Sequence, residues 1–286
     1  MHEHAERHAG ESPAGKAPRI VSLAGVCRGG PRRLVRPLQE IPFDDTSKTE
    51  VSTAMPGFYF DPYYMLWIAP AMLLAMWAQW RVHSAFAAAS QQPAALTGAA
   101  AARHILDSAG ATTIEIEPVP GQLNDHYDPQ AKVLRLSERV YGERTLAAVG
   151  IAANEAGHAL QDAHGYSLMA VRNAAVGVAN FGSGLGFFVF MIGLAMSLSA
   201  VAWLGIILFA GTVFFQLVNL PVEIDASNRA KAQLVDLGIV PASDMPAVNN
   251  VLNAAAWTYV AGTLQSILTL LYYASYLVGG SSDSDG

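Results

Sequence analysis

From Asn173 to Val222 the chain reads NAAVGVANFGSGLGFFVFMIGLAMSLSAVAWLGIILFAGTVFFQLVNLPV, with no Asp, Glu, Lys, Arg or His in it. A helix crosses the roughly 30 Å hydrocarbon layer of a bilayer with about 20 apolar residues at 1.5 Å each, so this interval is too long for one span. It reads as two, about 174–198 and 201–220, joined by a tight turn near Ser197 to Ser199. Buried helices of a large soluble core would not account for so long an interval without charge.

Working outward, two more spans appear. PYYMLWIAPAMLLAMWAQW, from about 62 to 80, carries Tyr and Trp at its ends, where interfacial aromatics belong. The other runs from about 255 to 278. The whole chain agrees with this: of 286 residues, 52% are hydrophobic and 14% charged, against about a quarter charged in ordinary soluble domains. A net charge of −6 with no long basic run excludes a nucleic-acid partner and leaves the lipid bilayer as the expected one. Cys27 is alone, so neither an internal disulfide nor a cysteine zinc cluster can form. Residues 1–54, rich in Pro, Gly, Arg and acids, are expected to be a disordered extension, and Met55 is an alternative start. Residues 279–286, GGSSDSDG, read as a flexible tail.

A soluble-looking block occupies about 81–171. TGAAAARHILDSAG, from Thr97 to Gly110, has a threonine cap, an alanine-rich helix and a glycine stop. TTIEIEPV and KVLRLS alternate as strands, with the turn-like NDHYDPQAK between them. Thr145 then opens a helix, TLAAVGIAANEAGHALQDAH, that Gly165 can close. The expected fold is therefore a predominantly α-helical integral membrane protein with about four transmembrane helices and a small α+β block.

The chemistry lies in Asn154-Glu155-Ala156-Gly157-His158, one residue away from His-Glu-x-x-His. At about 100° per residue, positions 154 and 158 share one helical stripe and Glu155 lies about 60° from His158. In a zinc peptidase two imidazoles at that spacing hold the metal and the glutamate stands beside its water as general base. Glu-x-x-His alone is a weak signal. Its setting among Ala152, Ala153, Ala156, Ala159 and Leu160 strengthens it, because polar groups on so apolar a helix need a partner or a metal. Two residues compete as third ligand. His164 lies six after His158, yet Gln161 stands where a chain-turning glycine would be needed, so His164 faces about 120° away and reads as a polar helix end. Glu223 follows the third span, where Pro221 suits a helix start; it reads as a ligand or as an interfacial charge.

Five stretches in unbroken order, FDPYYMLWIAPAMLLAMWAQWRVHSAF, EPVPGQLNDHYDPQAKVLRLSERVYG, AANEAGHALQDAHGYSLMAVRNA, LPVEIDASNRA and VLNAAAWTYVAGTL, resemble the YugP-like neutral zinc metallopeptidases, prokaryotic membrane proteins. The resemblance covers about 58–278, within a membrane metallopeptidase domain expected over 55–278. It implies a zincin-like α+β block carrying the motif helix, Zn2+ as cofactor, Glu155 as general base, and His158 and Glu223 as metal ligands. It further implies Asp225 as a residue orienting a ligand, a substrate peptide pairing along Lys132 to Leu136, and His126, Tyr127 and Asp128 near the cleft. The family pattern has histidine where this chain has Asn154, a degenerate ligand position: an amide oxygen replaces imidazole poorly on zinc, so weakened metal affinity is expected.

The function expected is a membrane-embedded zinc endopeptidase acting on peptides or membrane proteins, its activity lost or reduced through Asn154. The alternative is an inactive pseudoprotease that binds peptides or membrane proteins. A transporter is disfavoured, because the spans lack internal ionisable residues. Four spans put both termini on one side and the block with Glu223 on the other. Counted from Met55, all Lys and Arg lie on the block's side, among them Arg81, Arg103, Lys132 and Arg229, which places the site on the cytoplasmic side of a prokaryotic plasma membrane. The basic residues of 1–54, if counted, nearly balance this.

Overall fold

The computed structural model describes residues 62–122 and 124–281; the expected extension 1–54, Met55 and residues 282–286 of the expected tail lie outside the described residues, and the tail's first three residues, 279–281, are helical instead, the last turn of the final helix. Helix α1 (Pro62–Ser90) is followed by α2 (Gly98–Ser108), β1 (Glu115–Val119), β2 (His126–Asp128), β3 (Val133–Ser137) and a short α3 (Glu138–Gly142). Then come α4 (Leu146–Ala163), α5 (Ser167–Ala195), α6 (Ser199–Asp236) and α7 (Met245–Ser281). Helices α5, α6 and α7 are each long and apolar enough to cross a membrane. The first expected span falls within α1, which is not among the helices that meet this measure, so three of the four expected spans are found among the described residues. Large apolar side chains stand exposed on these faces, among them Leu66 and Met76 of α1, Phe181 and Phe188 of α5, and Ile207 of α6. In water such a surface would be unfavourable; against lipid it is matched.

Local signals set the boundaries. Thr97 and Thr145 accept the backbone N–H groups of Ala100 and Ala148, each at 3.2 Å, so both expected caps form. Gly165 has φ +65° and Tyr166 N donates to Gln161 O at 2.8 Å, which ends α4 with satisfied carbonyls. Between α5 and α6 the chain reverses at Ser197, φ +54°, and the two helices then pack closely: a Cβ on Gly205 would lie 2.3 Å from Phe190 N.

Three details differ from the sequence expectation. Pro221 does not start a helix: α6 runs unbroken through it, because Val222 and Ala226 pack against α4 and hold the direction that the missing N–H would otherwise release. At 38 residues α6 is about 57 Å long, well beyond the bilayer's roughly 30 Å. The turn-like NDHYDPQAK contributes a strand, β2, before the Asp128 carboxylate accepts Gln130 N and Ala131 N in the turn. The sheet order is β1-β3-β2, with β1 parallel and β2 antiparallel to β3. Strand β3, which contains Val133 to Leu136, is therefore central; both its edges are already paired, and it is not an edge on which a substrate can add.

Helix α4 occupies the centre of the α+β block. Ala147, Ala152, Ala153, Ala156 and Ala159 are fully buried, and these small side chains let neighbouring helices close in from several sides. At Gly157 the approach is closest, since a Cβ there would meet Ala226 O at 2.5 Å. That contact lies one residue from His158 and three from Glu223, so it sets the register of the site.

Candidate active site

Glu155 and His158 of α4 meet Glu223 of α6 across this contact. His158 and Glu223 are buried, and His158 Nε2 lies 3.2 Å from Glu223 Oε2. The His158 tautomer follows from its neighbours. Gln161 is fully buried, and its amide nitrogen lies 2.8 Å from both Val222 O and Asp225 Oδ2, two acceptors, so this atom must be the NH2 group. Its oxygen then faces His158 Nδ1 at 3.1 Å and accepts the Nδ1 proton. In neutral imidazole this leaves a lone pair on Nε2 pointing at a carboxylate oxygen, an arrangement that calls for a proton or a metal cation between them. Burial alone would depress the His158 pKa, yet the Glu223 and Glu155 carboxylates outweigh it and raise it.

Asp225 does not touch His158. It accepts from Gln161 and, at 2.6 Å, from Arg229 Nε, and so orients the imidazole through Gln161. Glu223 also accepts a hydrogen bond from the Tyr259 hydroxyl, and its Oε1 is faced by Arg172, whose Nη2 is 3.9 Å away and whose Nε donates to Asn219 Oδ1 at 2.7 Å.

The site opens into a cavity of about 390 Å³ between α1, α4, α6 and α7, lined among others by Gln79, Asp125, Asn154, Glu155, Glu223 and Tyr259. His158 stands behind this wall. Glu155 is half-buried; desolvation, with further contributions from the Glu223 and Asp125 charges, pushes its carboxyl up to about 7. Such a group exchanges protons readily at neutral pH. Asn154 is held without a metal: Ser227 Oγ donates to its Oδ1 at 2.9 Å, and its Nδ2 donates to Glu155 Oε1 at 3.4 Å.

Neither His126 nor Asp128 lines the cavity. His126 is exposed, with Nδ1 2.8 Å from Asn124 O; Asp128 is engaged by the turn's backbone N–H groups and by Arg135 Nη1 at 2.8 Å, which hold its carboxyl below the usual range. Tyr127 points back to Asp162 of α4. Their neighbour Asp125 lines the cavity instead, turned there by Ser137, whose N–H and Oγ donate to Oδ1 at 2.7 and 3.0 Å; burial raises its pKa. His164 caps the end of α4 in solvent, 3.4 Å from Arg229 Nη1, and does not line the cavity.

Two donors fit zinc. Tetrahedral bonds of about 2.0–2.1 Å put neighbouring ligand atoms about 3.3 Å apart, close to the separation of His158 Nε2 and Glu223 Oε2. The third position does not fit as well: Asn154 offers an amide oxygen already engaged by Ser227, and among the described residues no three His, Cys, Asp or Glu side chains are grouped to hold a metal.

Residues 64–278 match the family described as "Putative neutral zinc metallopeptidase". The chain is similar to "Putative membrane protease YugP" of Bacillus subtilis (strain 168), with 43% identity over 216 residues, covering 75% of this chain and 96% of that protein. No solved structure matches. With a family match over three quarters of its length and a relative of this identity, the chain belongs to the neutral zinc metallopeptidase family that this description names.

Proposed function

We propose that the chain is a membrane-embedded zinc endopeptidase whose metal affinity and turnover are reduced by Asn154. One observation carries this reading: Glu155 and Glu223, from two helices, line one cavity large enough for a peptide segment, with His158 directly behind Glu223 at 3.2 Å. His158 and Glu223 would hold the metal, with Asn154 as a weak third donor, and bound zinc would acidify a water and polarise a peptide carbonyl. Glu155 accepts the proton of the attacking water and returns it to the leaving amine, a role that its raised pKa suits. Gln161 keeps the His158 proton on Nδ1, with Asp225 and Arg229 fixing Gln161 in turn.

In this reading α1 is a fourth span beside α5, α6 and α7, and the part of α6 carrying Glu223 projects from the bilayer on the cytoplasmic side, with the sheet. The substrate is a peptide or a membrane protein. The test is zinc content and cleavage of an unstructured fluorogenic peptide by this chain, by Asn154→His, and by Asn154→His with Glu155→Gln. Zinc and activity should rise in the second and activity alone vanish in the third. Robust cleavage that survives Glu155→Gln would remove the reading.

The hydrogen bonds that satisfy Asn154 without a metal favour a second reading, a pseudoprotease that captures peptides without cutting them. It predicts peptide binding by the unaltered chain with neither zinc nor hydrolysis.

A further inference from the structure

Tryptophans mark a level in the helical bundle. Trp77 of α1 and Trp257 of α7 meet edge to face, their ring centroids 5.5 Å apart, which ties the two helices at one height. Arg81 lies over Trp77 at 5.7 Å, and Trp80 is 65% exposed beside them. Exposed indoles with an adjoining cation collect where hydrocarbon gives way to water. On one side of this level α1 exposes Leu66, Leu73 and Met76; on the other it exposes His83 and Ser84.

The cavity begins at the same level. Gln79 precedes Trp80, Thr258 and Tyr259 follow Trp257, and all three line it. Further along α1 the lining ends at Phe86, with Asp125 contributed by the sheet. From Gln79 to Phe86 the helix rises about 10 Å, which an extended peptide covers in about three residues. Glu155 lines this same short cavity, so a chain entering it from the level of the tryptophans would meet Glu155 within about three residues.

We propose that the cavity takes segments of membrane-anchored chains, engaged within about five residues of the point where they leave the bilayer. The inference rests on the peptide-site reading above and adds a rule of distance to it. Side chains farther along a substrate would lie beyond the cavity, over the sheet.

Two measurements on the full chain in liposomes test it. In a Cys27→Ser background, an environment-sensitive fluorophore on Gln79→Cys should be quenched by lipids brominated near the headgroup, and one on Glu138→Cys should not. Absence of quenching at Gln79 overturns the inference and leaves the peptidase reading standing. Next, palmitoylated peptides carry a photoreactive benzoylphenylalanine about four or about eighteen residues from the anchor, so that both share one effective concentration at the membrane. The proximal label should mark residues 79–86 or 251–259 at least about tenfold more than the distal one, as located by mass spectrometry after digestion; the comparison reads distance, since anchoring is common to both. Equal or stronger marking by the distal label overturns the rule of distance alone. If Gln79 is at the interface and neither label marks the cavity, the peptide-site reading falls, and this inference with it.

Discussion

Replacing Asn154 by histidine is expected to raise zinc affinity by about 60- to 700-fold. Four-ligand zinc sites bind with apparent free energies of about 10–16 kcal/mol, roughly 2.5–4 kcal/mol per ligand. At 1.4 kcal/mol per factor of ten, one further ligand gives that range. The surroundings can accept the ring. Asn154 borders the cavity, so the larger side chain has space, and it stands one helical turn before His158. The Ser227 hydroxyl, 2.9 Å from Asn154 Oδ1, can turn to accept an imidazole N–H and fix the tautomer, while the contact given up, to Glu155 at 3.4 Å, is long. The assay is competition for zinc between the protein in detergent and a chromophoric chelator, run on the parent, Asn154→His, and Asn154→His with Ser227→Ala. Parent and Asn154→His affinities within about threefold of one another, less than one ligand's share, would refute the reasoning.

Further outcomes follow from the same geometry. Gln161→Leu leaves the buried His158 Nδ1 without its partner and takes one donor each from Val222 O and from Asp225, which keeps Arg229; a loss of about 1–3 kcal/mol in thermal unfolding is expected, with zinc affinity in the Asn154→His background falling about 10- to 100-fold. Gly157→Ala forces a methyl against Ala226 O and should cost about 1–3 kcal/mol while separating His158 from Glu223; an unchanged Tm would show that α4 and α6 are not so close. Glu155→Gln in the Asn154→His background should lower peptide hydrolysis by about 100-fold or more with zinc content retained, as read by kcat and metal analysis side by side. His164→Ala, at an exposed helix end, should change stability by less than about 0.5 kcal/mol and leave zinc binding untouched.

Much of the fold was legible because its signals are local. The threonine caps and Gly165 each act within a few residues and bound α2 and α4, while the uncharged interval from Asn173 to Val222 marks two apolar helices without marking their ends, since α5 starts at Ser167 and α6 runs on to Asp236. Glu155 and His158 were legible as polar side chains on an alanine-rich helix. Gln161 met the same criterion, three residues on, but only as the absence of a glycine did it enter the sequence reading; its burial and its hold on His158 come from the packing of α6. Asp125, Ser227 and Tyr259 could not be found this way. Asp125 sits in a run of polar residues in which the turn by Ser137 alone selects it over His126 and Asp128. Ser227 and Tyr259 depend on the register of α4 against α6 and α7, which the Gly157 contact sets in space and no short pattern announces. Pro221 misled for a physical reason: proline favours a helix start, and tertiary packing overrides that preference here.

The central claim is that His158 and Glu223 are the surviving half of a zinc site completed from position 154. The most direct test is an anomalous difference map at the zinc edge from crystals of the Asn154→His chain soaked with zinc. The account predicts one strong peak between His158 Nε2 and Glu223 Oε2, within bonding distance of the new imidazole and next to Glu155. A peak elsewhere, with the His158 and Glu223 pair unchanged, would contradict it.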